Sequence, residues 1–349
     1  MNAAAELGFE YVLWDEHWDT WPAADLDFLL NWAKSRGVGV WLWKRWTTLE
    51  TPAQREAFFG WIDGKNRALG EKIIVGVKID FMDSESQARM AWYEATLRDA
   101  ADHELMINFH GANKPTGQAR TYPHEMTREG IRGLEHNILG NHLAPAHNAA
   151  LPFTRLLGGH ADYTPAAFLD NKLGNTTYAQ QLAMAFVLTS PLTHWADHPD
   201  RYLNSPAREV IEASPTVWDE TMVLEGSEVG RLAAMSRRAG SRWFVAVVNG
   251  DAANSTTLPV SLSFLNDRPR SWGATANGGP RGLKPAAPCC RTIADSESRP
   301  GGYRAVLLGD LPSSPYGFNR STAAVRATDT LNIWLRPGGG FVGMFTRAD

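Results

Sequence analysis

Carboxylate and ammonium side chains follow several short apolar runs in this 349-residue sequence. Lys78 and Asp80 lie two residues apart in one run, so their side chains would share one face of a β-strand. Glu135 ends another run. Two facing carboxylates are the minimum equipment for cleaving a glycosidic bond, because one protonates the leaving oxygen while the other attacks the anomeric carbon or activates water. Asp80 and Glu135 are therefore the predicted catalytic pair.

Polar and aromatic side chains that could bind a sugar recur beside the same runs. The predicted substrate-binding residues are Asp15, Glu16, Trp43, Lys44, Lys78, Asn108 and His110. The 14 tryptophans of the sequence suit either stacking on sugar rings or filling a large core. A structural role is also open for the aspartates, because an Asp at a strand end often caps the next helix, as Asp83 could.

Three histidines raise the alternative of a transition-metal site. They are His110, His136 and His147, but neither H-x-H nor H-E-x-x-H spacing is present. No P-loop and no G-x-G-x-x-G motif follows a predicted strand, so nucleotide cofactors have no motif in their favour.

Strand-like and helix-like segments alternate as far as about residue 216, which predicts a parallel sheet with helical crossovers. The predicted strands are residues 11–14, 38–43, 73–81, 105–110, 131–135, 160–163 and 191–195. The predicted helices are residues 24–36, 52–69, 84–103 and 178–189. Seven strands are one fewer than a (β/α)8 TIM-type barrel needs, so we expect an N-terminally truncated barrel over residues 1–216 that lacks its first strand.

The pattern changes after residue 216. Alternating runs at residues 242–249, 257–262 and 330–335 are separated by Gly, Asp and Asn, which predicts a C-terminal antiparallel β-sandwich over residues 217–349. Residues 268–304 are rich in Pro, Gly, Arg and Ser and include the adjacent Cys289 and Cys290. We expect this stretch to form a long loop.

The bulk properties exclude several classes of partner. A net charge of −4 and a pI near 6.2 provide no basic field for nucleic acid, and no apolar run reaches the roughly 18 residues that span a bilayer. The first residues contain neither the basic nor the apolar region of a signal peptide. We therefore expect no nucleic-acid and no membrane partner, while localisation and oligomeric state stay open.

Eight segments carry recognisable motifs in a fixed order. They are residues 76–83, 107–117, 120–123, 127–137, 151–155, 190–192, 218–221 and 337–341. Together they closely resemble glycoside hydrolase family 97. The resemblance implies an N-terminal β-sandwich, a (β/α)8 barrel and a C-terminal β-domain, of which we expect this chain to lack the sandwich and the first barrel strand.

The resemblance also implies a reaction type. The family contains inverting α-glucosidases and retaining members that include α-galactosidases. The inverting type carries a glutamate base at the position of Gly111, whereas the retaining type places an aspartate nucleophile at the position of Asp80. This chain is therefore similar to the retaining, α-galactosidase-like branch, with Glu135 as the general acid/base and Lys78 binding sugar hydroxyls.

Calcium is the cofactor that the resemblance implies. Glu129 matches a calcium ligand of the family, and hard carboxylate oxygens suit that ion. A further ligand is expected from the absent sandwich, and residues 145–147 replace a segment that should carry an acidic residue. We therefore expect this chain to supply an incomplete calcium site.

Three functions follow from these observations. The expected substrate is an oligosaccharide or another α-glycoside, and the first expectation is an α-galactosidase. An α-glucosidase of the same family is the first alternative, because the loops at residues 15–18 and 44–46 would decide between axial and equatorial O4. The second alternative is an inactive carbohydrate-binding fragment, because a barrel without one strand exposes a sheet edge.

Overall fold

The computed structural model describes residues 1–266 and 302–348. Cys289, Cys290 and most of the predicted 268–304 loop lie outside the described residues. Where the description resumes, a strand begins at Tyr303, so the end of that loop was predicted slightly too late. Within the described ranges, no helix is long and apolar enough to cross a membrane.

The N-terminal part is built on a five-stranded parallel sheet with the strand order β1-β2-β3-β4-β5. Its strands are β1 (Tyr11–Trp14), β2 (Gly39–Arg45), β3 (Ile74–Asp80), β4 (Met106–Phe109) and β5 (Glu125–Arg128). The helices around it are α1 (Asn2–Leu7), α2 (Ala23–Ser35), α3 (Pro52–Leu69) and α4 (Gln87–Asp102). Apolar side chains of sheet and helices form one core, which includes Phe59, Ile79 and Leu97.

Local signals determine where these helices begin and end. The side chain of Thr51 accepts the N–H of Gln54 in a capping box at the start of α3. The same helix ends at Gly70, whose φ of 69° favours glycine. At α4 the cap is Ser86, which accepts the N–H of Arg89, so the expectation that Asp83 caps this helix is wrong.

Three of the seven predicted strands are wrong. Residues 131–135, 160–163 and 191–195 are not strands, and Glu135 begins the short helix α5 (Glu135–Ile138). Only single backbone hydrogen bonds remain there, such as Asp162 N–H to Arg128 O at 3.2 Å. The sheet instead gains β5, which the sequence prediction missed, and its edges among the described residues are β1 and β5.

Short elements connect the sheet to the C-terminal part. The remaining helices are α6 (Pro145–Ala150), α7 (Tyr178–Val187), α8 (Pro199–Leu203) and α9 (Arg208–Glu212). Short 3-10 turns cover Trp18–Thr20, Trp46–Leu49, Gln118–Arg120, Leu151–Phe153, Arg155–Gly158, Asp170–Lys172 and Ser263–Asn266.

The C-terminal part is antiparallel, as predicted. A six-stranded sheet has the order β11-β10-β13-β8-β7-β6, and β12 pairs separately with β9. The strands are β6 (Glu220–Val223), β7 (Leu232–Ala239), β8 (Arg242–Asn249), β9 (Thr256–Ser261), β10 (Tyr303–Leu311), β11 (Ser314–Val325), β12 (Thr330–Leu335) and β13 (Gly340–Arg347). An apolar core that includes Trp243, Leu258 and Ile333 joins β8, β9 and β12.

Helix α7 joins the two parts of the chain. Most of its side chains are buried, and Phe186 stacks on Phe244 of β8 with ring centroids 5.3 Å apart. At Gly340 of β13, a Cβ atom would lie 2.6 Å from the backbone nitrogen of Gln180 and 2.7 Å from the carbonyl oxygen of Ala179. Only glycine therefore allows the helix backbone to lie this close to the sheet.

Gly340→Val should lower the free energy of unfolding by about 1–3 kcal/mol, because the helix and β13 must separate to admit the side chain. Urea titration followed by circular dichroism measures this loss. The matched control is Gly60→Ala in α3, where a Cβ meets nothing within 4 Å. That substitution should raise stability by about 0.5–1 kcal/mol. Equal stability of Gly340→Val and the unaltered chain would contradict the tight α7 contact.

Candidate active site

The predicted site residues lie at neighbouring positions of adjacent strands. Trp43 of β2 is paired with Lys78 of β3, which in turn is paired with Asn108 of β4. Parallel strands place their carboxyl ends at one edge of the sheet, so Asp80 and His110 also come together there. His110 Nδ1 lies 3.7 Å from Asp80 Oδ2.

Asp80 is held from two sides. Trp43 Nε1 donates to Oδ2 at 3.0 Å, and the N–H of Phe81 donates to Oδ1 at 2.6 Å. The residues around it have unusual backbone, because Phe81 and Gly111 have φ values of 64° and 55°. Only 13% of the Asp80 side chain is exposed. The carboxylate therefore has a defined orientation at the end of β3.

Lys78 is buried among carboxylates. Its Nζ lies 3.5 Å from Asp15 Oδ2 and 3.8 Å from Glu135 Oε1. Burial alone would lower the pKa of Lys78, but the attraction of Asp15, Glu135 and other anions outweighs it and raises that pKa. Lys78 is therefore a permanent cation, and its contacts are with Asp15 and Glu135, although it shares a strand face with Asp80.

His110 connects three carboxylates. Its Nδ1 lies 3.5 Å from Glu129 Oε2, and its Nε2 lies 3.2 Å from Asp162 Oδ2. Burial would lower the pKa of His110, and Lys78 also repels its proton. The contact with Asp162 and the charges of Asp162 and Glu129 outweigh both and raise the pKa to about 9. His110 is therefore a second buried cation.

Glu129 is held by the main chain as well as by His110. Gly111 N–H donates to its Oε2 at 2.6 Å. Burial is the main cause that raises the pKa of this carboxyl, and the neighbouring Glu135 and Asp80 raise it further, against the charge of His110.

Arg155 fixes the backbone on either side of Glu129. It donates to the carbonyls of Arg128, Glu129, Gly130, Gly159 and His160.

Side chains at and around Glu129 carry atoms that could bind a metal ion. Ligand atoms of His110, Glu129 and Glu135 all lie within 4.8 Å of one another. The two carboxylates are hard oxygen donors of the kind that calcium prefers, whereas an imidazole nitrogen is not. Calcium takes about 6–8 oxygen ligands, so these residues match its donor chemistry but provide only part of a coordination shell.

A cavity of about 850 Å³ adjoins this cluster. Its lining includes Asp15, Lys78 and Glu135, together with His194. Asp80 and His110 are not among its lining residues. Glu135 is 42% exposed and therefore accessible to water. The cavity is large enough for a small sugar and reaches the cluster through Lys78 and Glu135.

Two predicted substrate-binding residues lie apart from the cluster. Lys44 pairs with Asp19 at 2.7 Å, and its ammonium lies over the rings of Trp18 and Phe58. Glu16 is exposed, and the one hydrogen bond found for it within the described residues is from its backbone N–H to Asp15 Oδ1, at 2.7 Å. Neither residue lines the 850 Å³ cavity.

Sequence reasoning missed one buried residue, Asp162, and two partly buried residues, Arg155 and His194. Asp162 and His194 lie in segments that were predicted as strands, and Arg155 lies in one of the motif segments. The available signal was polarity inside an otherwise apolar run, which is costly unless the buried group has a partner. The three histidines of the transition-metal alternative do not form one cluster among the described residues. His110 lies with Glu129 and Glu135, whereas His147 contacts Arg132 O, and neither His136 nor His147 is part of the group around Glu129.

The stability of the protein should fall as pH rises from 6.5 to about 9. Native His110 keeps its proton to about pH 9, whereas an unfolded histidine loses it near 6.5. The native state therefore binds more protons in this window, so the contribution of His110 is complete below pH 6.5 and lost through about pH 9. Urea unfolding of the chain and of His110→Gln measures it.

The difference in unfolding free energy between the two proteins should narrow across this window. His147→Gln is the control. Burial lowers the pKa of His147, so the difference in unfolding free energy between this variant and the unaltered chain should not narrow across the same window. A difference that stays constant from pH 6.5 to 9 would contradict the buried imidazolium.

Two family models match the chain. The model described as glycoside hydrolase 97 matches residues 1–131, and the model described as glycosyl-hydrolase 97 C-terminal, oligomerisation, matches residues 217–276. Among curated relatives, a probable retaining alpha-galactosidase from Streptomyces bingchenggensis (strain BCW-1) is 37% identical over 276 residues, covering 75% of this chain and 42% of the relative. A retaining alpha-galactosidase from Bacteroides thetaiotaomicron is 31% identical over 298 residues, covering 79% and 43%.

Solved structures extend the likeness to the fold. A glycoside hydrolase family 97 enzyme in complex with acarbose, from Pseudoalteromonas sp. strain K8, has a TM-score of 0.79 at 26% identity. The match covers 100% of this chain and 55% of that one. This chain spans about two fifths of the length of the two curated relatives. The matching models, the relatives and the shared fold together show that the chain belongs to glycoside hydrolase family 97.

Proposed function

We propose that the protein hydrolyses terminal α-linked galactose with retention of configuration, with Asp80 as the nucleophile and Glu135 as the general acid/base. The observation that carries the proposal is Asp80 itself, a carboxylate oriented by Trp43 and Phe81 at the end of β3. Gly111 lies beside it where inverting members carry a glutamate base. Two curated relatives described as retaining alpha-galactosidases favour the same choice.

The first step forms a bond between Asp80 and the anomeric carbon. As the glycosidic bond breaks, its electron pair stays on the leaving oxygen, which takes the proton of Glu135. Glu135 is then an anion 3.8 Å from the Lys78 ammonium, and this attraction favours the transfer.

The second step returns the enzyme to its starting state. Glu135 takes a proton from a water molecule, whose oxygen attacks the anomeric carbon and releases Asp80. The exposure of Glu135 suits this role, because water reaches it directly. Each displacement inverts the carbon, so the product keeps the α-configuration. A retaining enzyme needs the two carboxyl groups about 5–5.5 Å apart when substrate is bound, against about 6.5–9.5 Å for an inverting one.

Sugar binding is proposed for Lys78, Asp15, Trp43, Asn108 and His110. Lys78 and Asp15 line the cavity, so they reach a bound ring directly. The other three are proposed to support the site rather than to reach the ring. Trp43 Nε1 donates to Asp80, Asn108 Nδ2 donates to Asp162 Oδ2 at 2.8 Å, and His110 lies 3.7 Å from Asp80. Lys44 and Glu16 are proposed only as contacts of a longer substrate.

The reaction itself tests the double displacement. Proton NMR of nitrophenyl α-galactoside hydrolysis should show the α-anomer of galactose first, and the β-anomer appearing first would exclude it. Asp80→Gly should abolish turnover, and azide should restore it with β-galactosyl azide as the product, because azide enters the space of the carboxylate. Glu135→Gln should lower kcat by about 10²–10⁴-fold.

Asp83→Gly is the matched control for Asp80→Gly. Asp83 is an exposed carboxylate three residues further along the chain with a φ of 43°, so glycine relieves strain there. The backbone N–H at this position, which donates to Gly111 O at 3.0 Å, is kept in the variant. Loss of activity in this variant would attribute the effect to the loop rather than to the nucleophile.

An α-glucosidase is the second candidate, favoured by the acarbose complex of the related Pseudoalteromonas enzyme. A panel of nitrophenyl α-glycosides distinguishes it, because the glucoside would then exceed the galactoside in kcat/KM. A chain that binds galactose but turns over none of the panel would be an inactive carbohydrate-binding fragment.

Calcium is proposed as a bound cofactor, held by oxygens of Glu129 and Glu135. It would add a positive charge beside the carboxylates and stabilise the carboxylate of Glu135 after this residue has given up its proton. Isothermal titration with CaCl₂ should show binding that Glu129→Gln weakens by at least about tenfold, because a charged ligand is lost. Glu94→Gln is the control and should bind like the unaltered chain, because Glu94 is a partly exposed glutamate of α4 whose ion pair is with Arg98. Identical titrations of all three proteins would exclude Glu129 as a ligand.

A further inference from the structure

His194 is a partly buried histidine that no step of the proposed mechanism uses. Its Nδ1 lies 2.9 Å from Asp162 Oδ2, and its side chain is 16% exposed. The residue lines the 850 Å³ cavity with Asp15, Lys78 and Glu135. No hydrogen bond of its second ring nitrogen, Nε2, is found within residues 1–266 and 302–348.

Asp162 holds this histidine together with the cluster. Its Oδ2 receives Asn108 Nδ2 at 2.8 Å and lies 3.2 Å from His110 Nε2 as well as 2.9 Å from His194 Nδ1. The carboxylate is 1% exposed, so water does not compete for these contacts. Burial alone would raise the pKa of Asp162, but the two histidines lower it well below its usual value. One buried anion therefore lies within 3.2 Å of both imidazole rings.

The backbone after Asp162 is strained in a way that accompanies functional sites. Thr164 and Ala166 have φ values of 53° and 68°, a region that costs residues with a Cβ about 1–3 kcal/mol. Thr164 also lines the cavity. The carbonyl of Tyr163 accepts the N–H of Leu134, directly before Glu135, at 3.0 Å. The segment that carries Asp162 is thus tied to the segment that carries the general acid/base.

We propose that His194 binds a hydroxyl group of the terminal sugar through Nε2, and that Asp162 is the positioning residue that orients it. The inference rests on the proposed function and adds a binding residue to it. With Nδ1 turned to Asp162, Nε2 lies on the other edge of the ring, which is available to the cavity. A sugar hydroxyl both donates and accepts, so it can pair with either protonation state of Nε2. A carboxylate behind a histidine fixes ring orientation and tautomer in the same way at many sites.

The test uses nitrophenyl α-galactosides that lack one hydroxyl each, at C2, C3, C4 or C6. His194→Ala should lower kcat/KM for the complete substrate by about tenfold or more, because a hydrogen bond to the sugar is lost. The unaltered chain should lose a similar factor on one deoxy substrate. On that substrate alone, the His194→Ala substitution should lower kcat/KM little further, because the partner hydroxyl is already absent.

His194→Gln and Asp162→Asn complete the experiment. Glutamine keeps a hydrogen-bonding group and should recover part of the loss, whereas Asp162→Asn should show the same selective pattern if it folds. His198→Ala is the matched control, since His198 is exposed and lies four residues further along the chain. Equal losses of His194→Ala on every deoxy substrate, or none on the complete one, would overturn the inference. Absence of turnover by the unaltered chain would instead count against the proposed function, and galactose titration of His194→Ala would then decide the inference alone.

Discussion

Charge balance around two buried cations governs this site. The cations are Lys78 and His110, and the carboxylates around them are Asp15, Asp80, Glu129, Glu135 and Asp162. An unpaired buried carboxylate is expensive, and removal of one partner from a buried pair leaves an uncompensated charge. The three carboxylates that are largely removed from solvent, Asp80, Glu129 and Asp162, are therefore constrained to the few positions where they face a cation. The parallel sheet supplies both cations from neighbouring strands, and the later segments bring most of the anions to them.

The first half of the site was predictable because the strand repeat is local. Alternation along β2, β3 and β4 puts Trp43, Lys78 and Asn108 on one face of the sheet. The periodicity of the helices was equally clear, and α3 lies where it was predicted. Family membership was also readable from motifs spread over the chain, and it is confirmed. The catalytic roles of Asp80 and Glu135, the calcium site and the 216/217 domain boundary stay predictions.

The second half of the site depends on contacts between segments far apart in the sequence. Glu135 was expected at a strand end, but Gly130 with a φ of 45° and the close approach of Gly133 to Tyr163 turn the chain into a short helix instead. Asp162 and His194 lie 32 positions apart in numbering, and neither has a neighbouring residue that signals the contact. Apolar runs without a ladder partner look like strands in a sequence, so periodicity alone could not separate them from β5.

Gly111 has a consequence for how the two reaction types of the family could interconvert. A Cβ atom at this position would lie 3.0 Å from the Phe81 nitrogen and 3.2 Å from Asp80 Oδ1, and its φ of 55° disfavours any side chain. A glutamate at this position would therefore disturb the backbone that orients Asp80, the proposed nucleophile. Under the proposed mechanism, an evolutionary change from one reaction type to the other would therefore require the loops after β3 and β4 to change together rather than one residue at a time.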